Sequence, residues 1–181
     1  LSPLLGQAPD PELVSKIEAL VMSSPAVIGM HDLVVHDYGP GNRLVSFHVE
    51  MDASADVMHS HDVIDRIERD LLNQDDLVAT IHFDPVVTGD AHVAELRTFL
   101  QQEVANLDTH ANIHDLRIVP GPTHTNVIFD CAVPAEYITE KQRRGAKLAA
   151  ALRAAVERKW PDHFCIIKLE PDYSAGIHET K

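Results

Sequence analysis

Hydrophobic positions follow two rhythms along the chain, and each rhythm occurs twice. Helical spacing runs from Pro11 to Ser23, with apolar Leu13, Ile17, Leu20 and Val21, and again from Ala91 to Leu107, with Val93, Leu96, Leu100 and Val104. A His-Asp-Leu triplet follows each run, His31-Asp32-Leu33 and His114-Asp115-Leu116. Turn residues come next, Tyr38-Gly39-Pro40-Gly41-Asn42 and Pro120-Gly121-Pro122, and then strand-like runs, Leu44 to Met51 and Asn126 to Val133. A longer helix is predicted from about Ala55 to Leu72 and from about Ala135 to Trp160. Each half closes on a short strand, Leu77 to Phe83 and Phe164 to Leu169, ended by Asp84-Pro85 and Glu170-Pro171.

The chain therefore reads as α+β, with two tandem αββαβ units over residues 11–88 and 90–173 and Thr88-Gly89-Asp90 as the joint. Asp10-Pro11-Glu12 sets an N-cap before a proline at the first helical position, and Asp90 can cap the helix opening the second unit. Each unit is expected to form an antiparallel hairpin plus a third strand, with two helices on one sheet face. This is a ferredoxin-like or metallochaperone-like half-open sandwich. Its other face must meet a partner, the sister unit or water.

Alternation along the strands sorts the side chains. Val45, Phe47, Val49 and Met51 point one way, and Ser46, His48 and Glu50 the other. Leu77, Ala79, Ile81 and Phe83 form an apolar face, opposite Thr80, His82 and Asp84. His48, His82 and Asp84 thus arrive on polar faces, with His31 on the neighbouring hairpin strand. On the long helix His61 and Asp65, four apart, share a face.

Composition sharpens this picture. With 28 Asp and Glu against 15 Lys and Arg, the formal net charge is −13, which argues against nucleic acid as a partner and favours cations. Twelve histidines in such a chain point to metal, because imidazole is the commonest metal ligand. Two imidazoles and a carboxylate form a donor set suited to Zn²⁺ and, less selectively, to Mn, Fe, Co or Ni ions. His36, His59, His92, His110, His124, His163 and His178 are read as ordinary solvated or hydrogen-bonded residues. Cys131 and Cys165 lie in apolar runs and are expected to be reduced core residues. Arg143-Arg144, with Lys141 and Lys147, is read as a solvated helix face. His59-Ser60-His61-Asp62 matches the HxHxDH hydrolase pattern only in part, and no HExxH, P-loop, GxGxxG or GxSxG is present.

Four motifs in register carry a family resemblance: Gly29-Met30-His31-Asp32-Leu33, Phe47-His48-Val49-Glu50-Met51-Asp52, His61-Asp62-Val63-Ile64-Asp65-Arg66-Ile67-Glu68 and Ile81-His82-Phe83-Asp84-Pro85. Through them the first unit resembles the cytosolic C-terminal domain of cation diffusion facilitator transporters. The second unit, with His114-Asp115-Leu116 and Asn126-Val127-Ile128-Phe129-Asp130, is similar to members with an extended, duplicated domain. The resemblance implies a metallochaperone-like fold that pairs with a second copy beneath a membrane domain exporting Zn²⁺ or a related ion. It also implies that metal binding favours a closed dimer and so regulates transport. Carried over by position, it places the ligands on His31, His48, His61, His82 and Asp84, with Asp84 able to bridge two ions. In the second unit the matching places hold Asp130, Lys168 and Glu170, so that unit is expected to have lost the full site.

The expected function is thus a non-enzymatic regulatory domain of a divalent-cation efflux transporter, acting as a homodimer at the cytosolic face of the membrane. No apolar run reaches the roughly 18 residues of a transmembrane helix, and the chain begins at Leu1 rather than Met, so the membrane half is expected to precede it. The rival readings are a free-standing metal-dependent hydrolase and a metal-free structural module.

Overall fold

A computed structural model of the chain describes residues 9–139 and 143–172. The chain divides into two compact units between Val86 and Val87, just before the expected joint. The first runs α1 (Pro11–Met22), β1 (Gly29–Asp37), β2 (Arg43–Asp52), α2 (Val57–Asp75) and β3 (Leu77–Val86). The second runs α3 (Ala91–Leu107), β4 (Asn112–Pro120), β5 (Thr125–Pro134), α4 (Ala135–Thr139), α5 (Arg144–Lys159) and β6 (His163–Asp172). Lys141, Tyr173 and His178 lie outside the described residues.

Each unit has a three-stranded sheet with its middle strand shared between two kinds of pairing. β1 pairs antiparallel with β2, and β3 lies parallel on the other edge of β2; β4, β5 and β6 repeat that arrangement. The first hairpin turns through Gly39 and Gly41 at φ 107° and 74°, a conformation that L side chains rarely adopt. Helices begin where the chain supplies side-chain caps: Asp10 accepts from the Glu12 amide, Asp56 from His59 and Asp90 from Val93.

The alternating apolar positions of β2 form the first core. Val45, Phe47, Val49 and Met51 are at most 2% exposed and pack with Ile17 and Val21 of α1 and Val63, Ile67 and Leu71 of α2. Burying each such side chain contributes roughly 1.5–3 kcal/mol. Both helices therefore cover the odd-numbered face of β2, and the even-numbered residues, His48 among them, stand on the other face. In the second unit Val127, Phe129, Cys131 and Val133 do the same against α3 and α5. Cys131 and Cys165 are free and buried, and burial pushes their thiols up to about 11 and about 12. Neither is a nucleophile or a ready metal ligand at neutral pH.

One predicted element differs. The helix expected from Ala135 to Trp160 is two helices, α4 and α5. Arg143, which opens α5, has φ 54° and ψ 46°, a left-handed conformation that no α-helix can contain. Gly145 accompanies the break: a Cβ there would lie 3.1 Å from the Tyr137 carbonyl oxygen of α4.

Candidate metal centre

Strand register assembles the site. β1 places His31 opposite His48, β3 places His82 opposite His48, and Glu50 stands opposite Asp84. Three imidazoles thus form a row across the sheet, with ring centroids 4.6 Å apart for His31 and His48 and 4.5 Å for His48 and His82. Side-chain exposure climbs along the row from 7% at His31 through 32% at His48 to 65% at His82, so one end is sealed and the other is open to ions in solution.

Asp84 is the focus of the row. Its Oδ2 lies 3.0 Å from His31 Nε2 and 2.9 Å from His48 Nδ1, and its Oδ1 lies 3.5 Å from His82 Nε2. Asp84 is 4% exposed and Glu50 is 0% exposed, with a Glu50 oxygen 3.9 Å from His31 Nε2. Two carboxylates are therefore buried around one imidazole, an arrangement that favours a cation among them.

In the metal-free chain a proton on His31 can fill that role. His31 Nδ1 faces Asp32 Oδ2 at 3.2 Å while Nε2 faces Asp84, so both ring nitrogens meet carboxylate oxygens and both can donate. Burial opposes the charge on His31, but its hydrogen bonds to Asp84 and Asp32 outweigh burial and raise its pKa above the ordinary 6.5. Burial likewise opposes ionisation of Asp84, yet the His31 and His48 hydrogen bonds hold its carboxyl below 3.8. The pair's contribution to stability is fully present only above 3.8, the unfolded aspartate value, and below 6.5, the unfolded histidine value. It is lost on acidification as Asp84 protonates, and lost as pH rises through the raised His31 value. Chelated protein is therefore expected to lose part of its resistance to urea as pH rises above 6.5, and His31→Gln is expected to flatten that loss. An unchanged slope in the variant would show that other groups set it.

The donors also fit a divalent ion. His31, His48 and Asp84 offer ligand atoms that all lie within 4.8 Å of one another, a group that could hold a metal. Two imidazole nitrogens and a carboxylate oxygen match the borderline-soft preference of Zn²⁺, whose bonds to such atoms are about 2.0–2.2 Å. The ion must displace the protons on the ligating nitrogens, so its affinity falls as pH drops.

The five sequence-derived positions do not behave alike. His31, His48, His82 and Asp84 come together, whereas His61 is an exposed residue of α2. Asp65, expected to share its helix face, is ion-paired with Arg69. The hydrolase-like pattern does not converge either: His59 and His61 are exposed, and Asp62 pairs with Arg66 at 2.5 Å.

The second unit shows what replaces the centre. Asp130 stands opposite His114 and Lys168, and Glu170 stands opposite Ala132, so the matching row holds an aspartate and a lysine in place of two imidazoles. Lys168 pairs with Glu170 at 2.9 Å. Arg117, 9% exposed, reaches Asp130 Oδ1 at 3.4 Å and donates to the Asp115 carbonyl at 2.7 Å. Burial raises the Asp130 pKa above its ordinary value, and the Arg117 charge offsets part of that cost. The sequence reading passed over Arg117. Aligning His31-Asp32-Leu33-Val34 with His114-Asp115-Leu116-Arg117 would have exposed it as a cation introduced where the first unit has valine.

Comparison with known proteins agrees with this division. Residues 9–86 match the family described as cation efflux protein, cytoplasmic domain. The cation-efflux pump FieF of Yersinia enterocolitica is 38% identical over 89 residues, covering 46% of this chain and 28% of the pump. The chain thus spans less than a third of that relative. A solved structure of CzrB, a candidate zinc transporter, is 30% identical over 43% of this chain and 98% of its own, with a TM-score of 0.40. The metal-bound C-terminal domain of the CzcD transporter from Thermotoga maritima is 22% identical over 44% of this chain and 92% of its own, with a TM-score of 0.38.

Proposed function

Since its first unit is a cytoplasmic domain of the cation efflux protein family, we propose that this chain is the regulatory part of a divalent-cation efflux transporter, binding metal and pairing with a second copy to control transport. The observation that carries the reading is the convergence of His31 and His48 on one oxygen of the buried Asp84. Zn²⁺ suits this donor set best, while Mn, Fe, Co and Ni ions remain compatible with it. His82 completes the open end, and Oδ1 of Asp84 faces it, so the carboxylate can serve a second ion beside the first. His61 is assigned on the family resemblance alone.

The pairing surface is the sheet face that the helices leave uncovered. Val34, Leu44 and Val78 are 45%, 44% and 52% exposed, and strand register sets Val34 opposite Ser46 and Leu44 opposite Val78, on the face that carries His48 and His82. Ions that bind the paired state more tightly than the unpaired state shift the population by that difference in affinity. Cations also relieve the repulsion between two chains of formal charge −13. Among the described residues no helix is long and apolar enough to cross a membrane. The family match is what supports placing this chain at the cytosolic face, beneath a membrane domain that carries out export.

Light scattering with and without Zn²⁺ tests the proposal. Zn²⁺ is expected to move the chain towards dimer, and Leu44→Asp with Val78→Asp to abolish that shift while Zn²⁺ binding persists. Saturation with Zn²⁺ at unchanged mass would remove the regulatory reading.

A further inference from the structure

In sequence His92 and His163 read as ordinary solvated or hydrogen-bonded residues, yet the second unit brings their Nε2 atoms to 2.7 Å of each other. His92 is the second residue of α3, and His163 opens β6. Each imidazole also turns its Nδ1 to a carboxylate: His163 to Asp162 Oδ1 at 2.8 Å, His92 to Glu95 Oε2 at 3.4 Å.

This geometry sets a proton problem. A carboxylate oxygen accepts, so the 2.8 Å Asp162 contact puts the hydrogen of His163 on Nδ1, and the longer Glu95 contact supports the same tautomer in His92. In that tautomer each neutral imidazole has its one N–H on Nδ1, and the two Nε2 lone pairs are aimed at each other. Two such lone pairs at hydrogen-bond distance repel unless a cation lies between them. Carboxylate–imidazole pairs that fix the outer nitrogen and project the inner lone pair are the usual support of metal-ligating histidines.

We propose that His92 and His163 form a two-imidazole site for a first-row divalent cation in the second unit, with Glu95 and Asp162 orienting the rings and water completing the coordination. Tetrahedral Zn²⁺ with bonds of about 2.0–2.1 Å holds two nitrogens about 3.3 Å apart, so the rings need to separate by only about 0.6 Å. His92 can supply that movement, since its side chain is 32% exposed at a helix start. His163 is the fixed partner: its side chain is 7% exposed, its amide donates to the Trp160 carbonyl, and the Asp162 carbonyl accepts from Thr125. The Lys159 ammonium is held over the Phe99 and Trp160 rings and 3.6 Å from Glu95, so its charge is already partnered. The site is particular to this unit. Cap alignment of Asp10 with Asp90 places Glu12 where His92 stands, and strand register places Leu77 where His163 stands.

Trp160, the only tryptophan in the chain, stacks on His163 with centroids 5.6 Å apart and reports on the site. The test uses the full chain carrying His48→Ala and Asp84→Ala, titrated with ZnCl₂ while calorimetry and tryptophan emission are followed. About one Zn²⁺ per chain is expected, with a change in emission. His92→Gln is expected to weaken binding at least about 100-fold, and Glu95→Gln about 10- to 100-fold, with melting midpoints confirming that both variants fold. Absence of binding, or binding indifferent to His92→Gln, overturns the proposal. So does emission that responds to pH but not to Zn²⁺, because the pair would then hold only a proton. Glu95→Gln, at an exposed position, decides the matter should a histidine variant fail to fold.

Discussion

Asp84→Ala is expected to weaken Zn²⁺ binding by the first unit at least about 100-fold, equivalent to about 2.7 kcal/mol. The size follows from what one oxygen does: Oδ2 anchors both His31 and His48, so its removal takes away the anionic ligand and the orientation of two imidazoles together. Asp84→Asn is a milder probe that keeps an acceptor of the same shape and removes the charge. Calorimetry in a His92→Gln background counts first-unit binding alone. An affinity for Asp84→Ala within about threefold of the parent would mean that the ion sits elsewhere. The metal-free variant is not expected to collapse, since His31 can release its proton and avoid standing as an unpaired buried charge.

The largest stability effect is expected from Phe47→Ala, which removes a side chain 1% exposed in the first core. Phe-to-Ala changes in such packing cost about 3–5 kcal/mol, a large fraction of what a small domain possesses. Phe129 holds the equivalent strand position in a separate core, so the loss is expected to be confined to the first unit. Hydrogen exchange resolved by segment checks this: protection should fall in β1, β2 and β3 and persist in β4, β5 and β6. Zn²⁺ at about 100 times its Kd returns about 2.7 kcal/mol to the variant through binding to the folded state only. Uniform loss of protection across both units would show that they unfold as one.

The two predictions draw on features of unequal legibility in the sequence. The Phe47 face was plain, because period-two alternation from Val45 to Met51 is uninterrupted and its apolar residues are all buried. The same alternation put His48 on the polar face, and β2 and β3 run in register, so residues 48 and 82 meet. His31 was harder to place. The pairing slips between His31 and Val34, and a slip of that kind breaks the alternation on which the reading depends. The break between α4 and α5 was hidden for a different reason: Arg143 and Arg144 are good helix formers, and only Gly145 hinted at a close approach. His92 and His163 could not be linked at all, being 71 positions apart and joined only by tertiary packing.

The slip in β1 has a counterpart in β4, between His114 and Arg117, and in each an aspartate, Asp32 or Asp115, takes a left-handed φ of 54° or 52°. One extra residue lets side chains three apart share a sheet face, which regular alternation forbids. The shared His-Asp-Leu triplet therefore marks a backbone device more than a ligand set. What leaves the device differs: Val34 in the first unit, Arg117 in the second, where its guanidinium is tethered beside Asp130. A tethered charge is always present, whereas an ion drawn from solution comes and goes with its concentration. On the proposed reading, the residue at that exit separates a sheet face whose carboxylate awaits an ion from one whose carboxylate is neutralised by the chain itself.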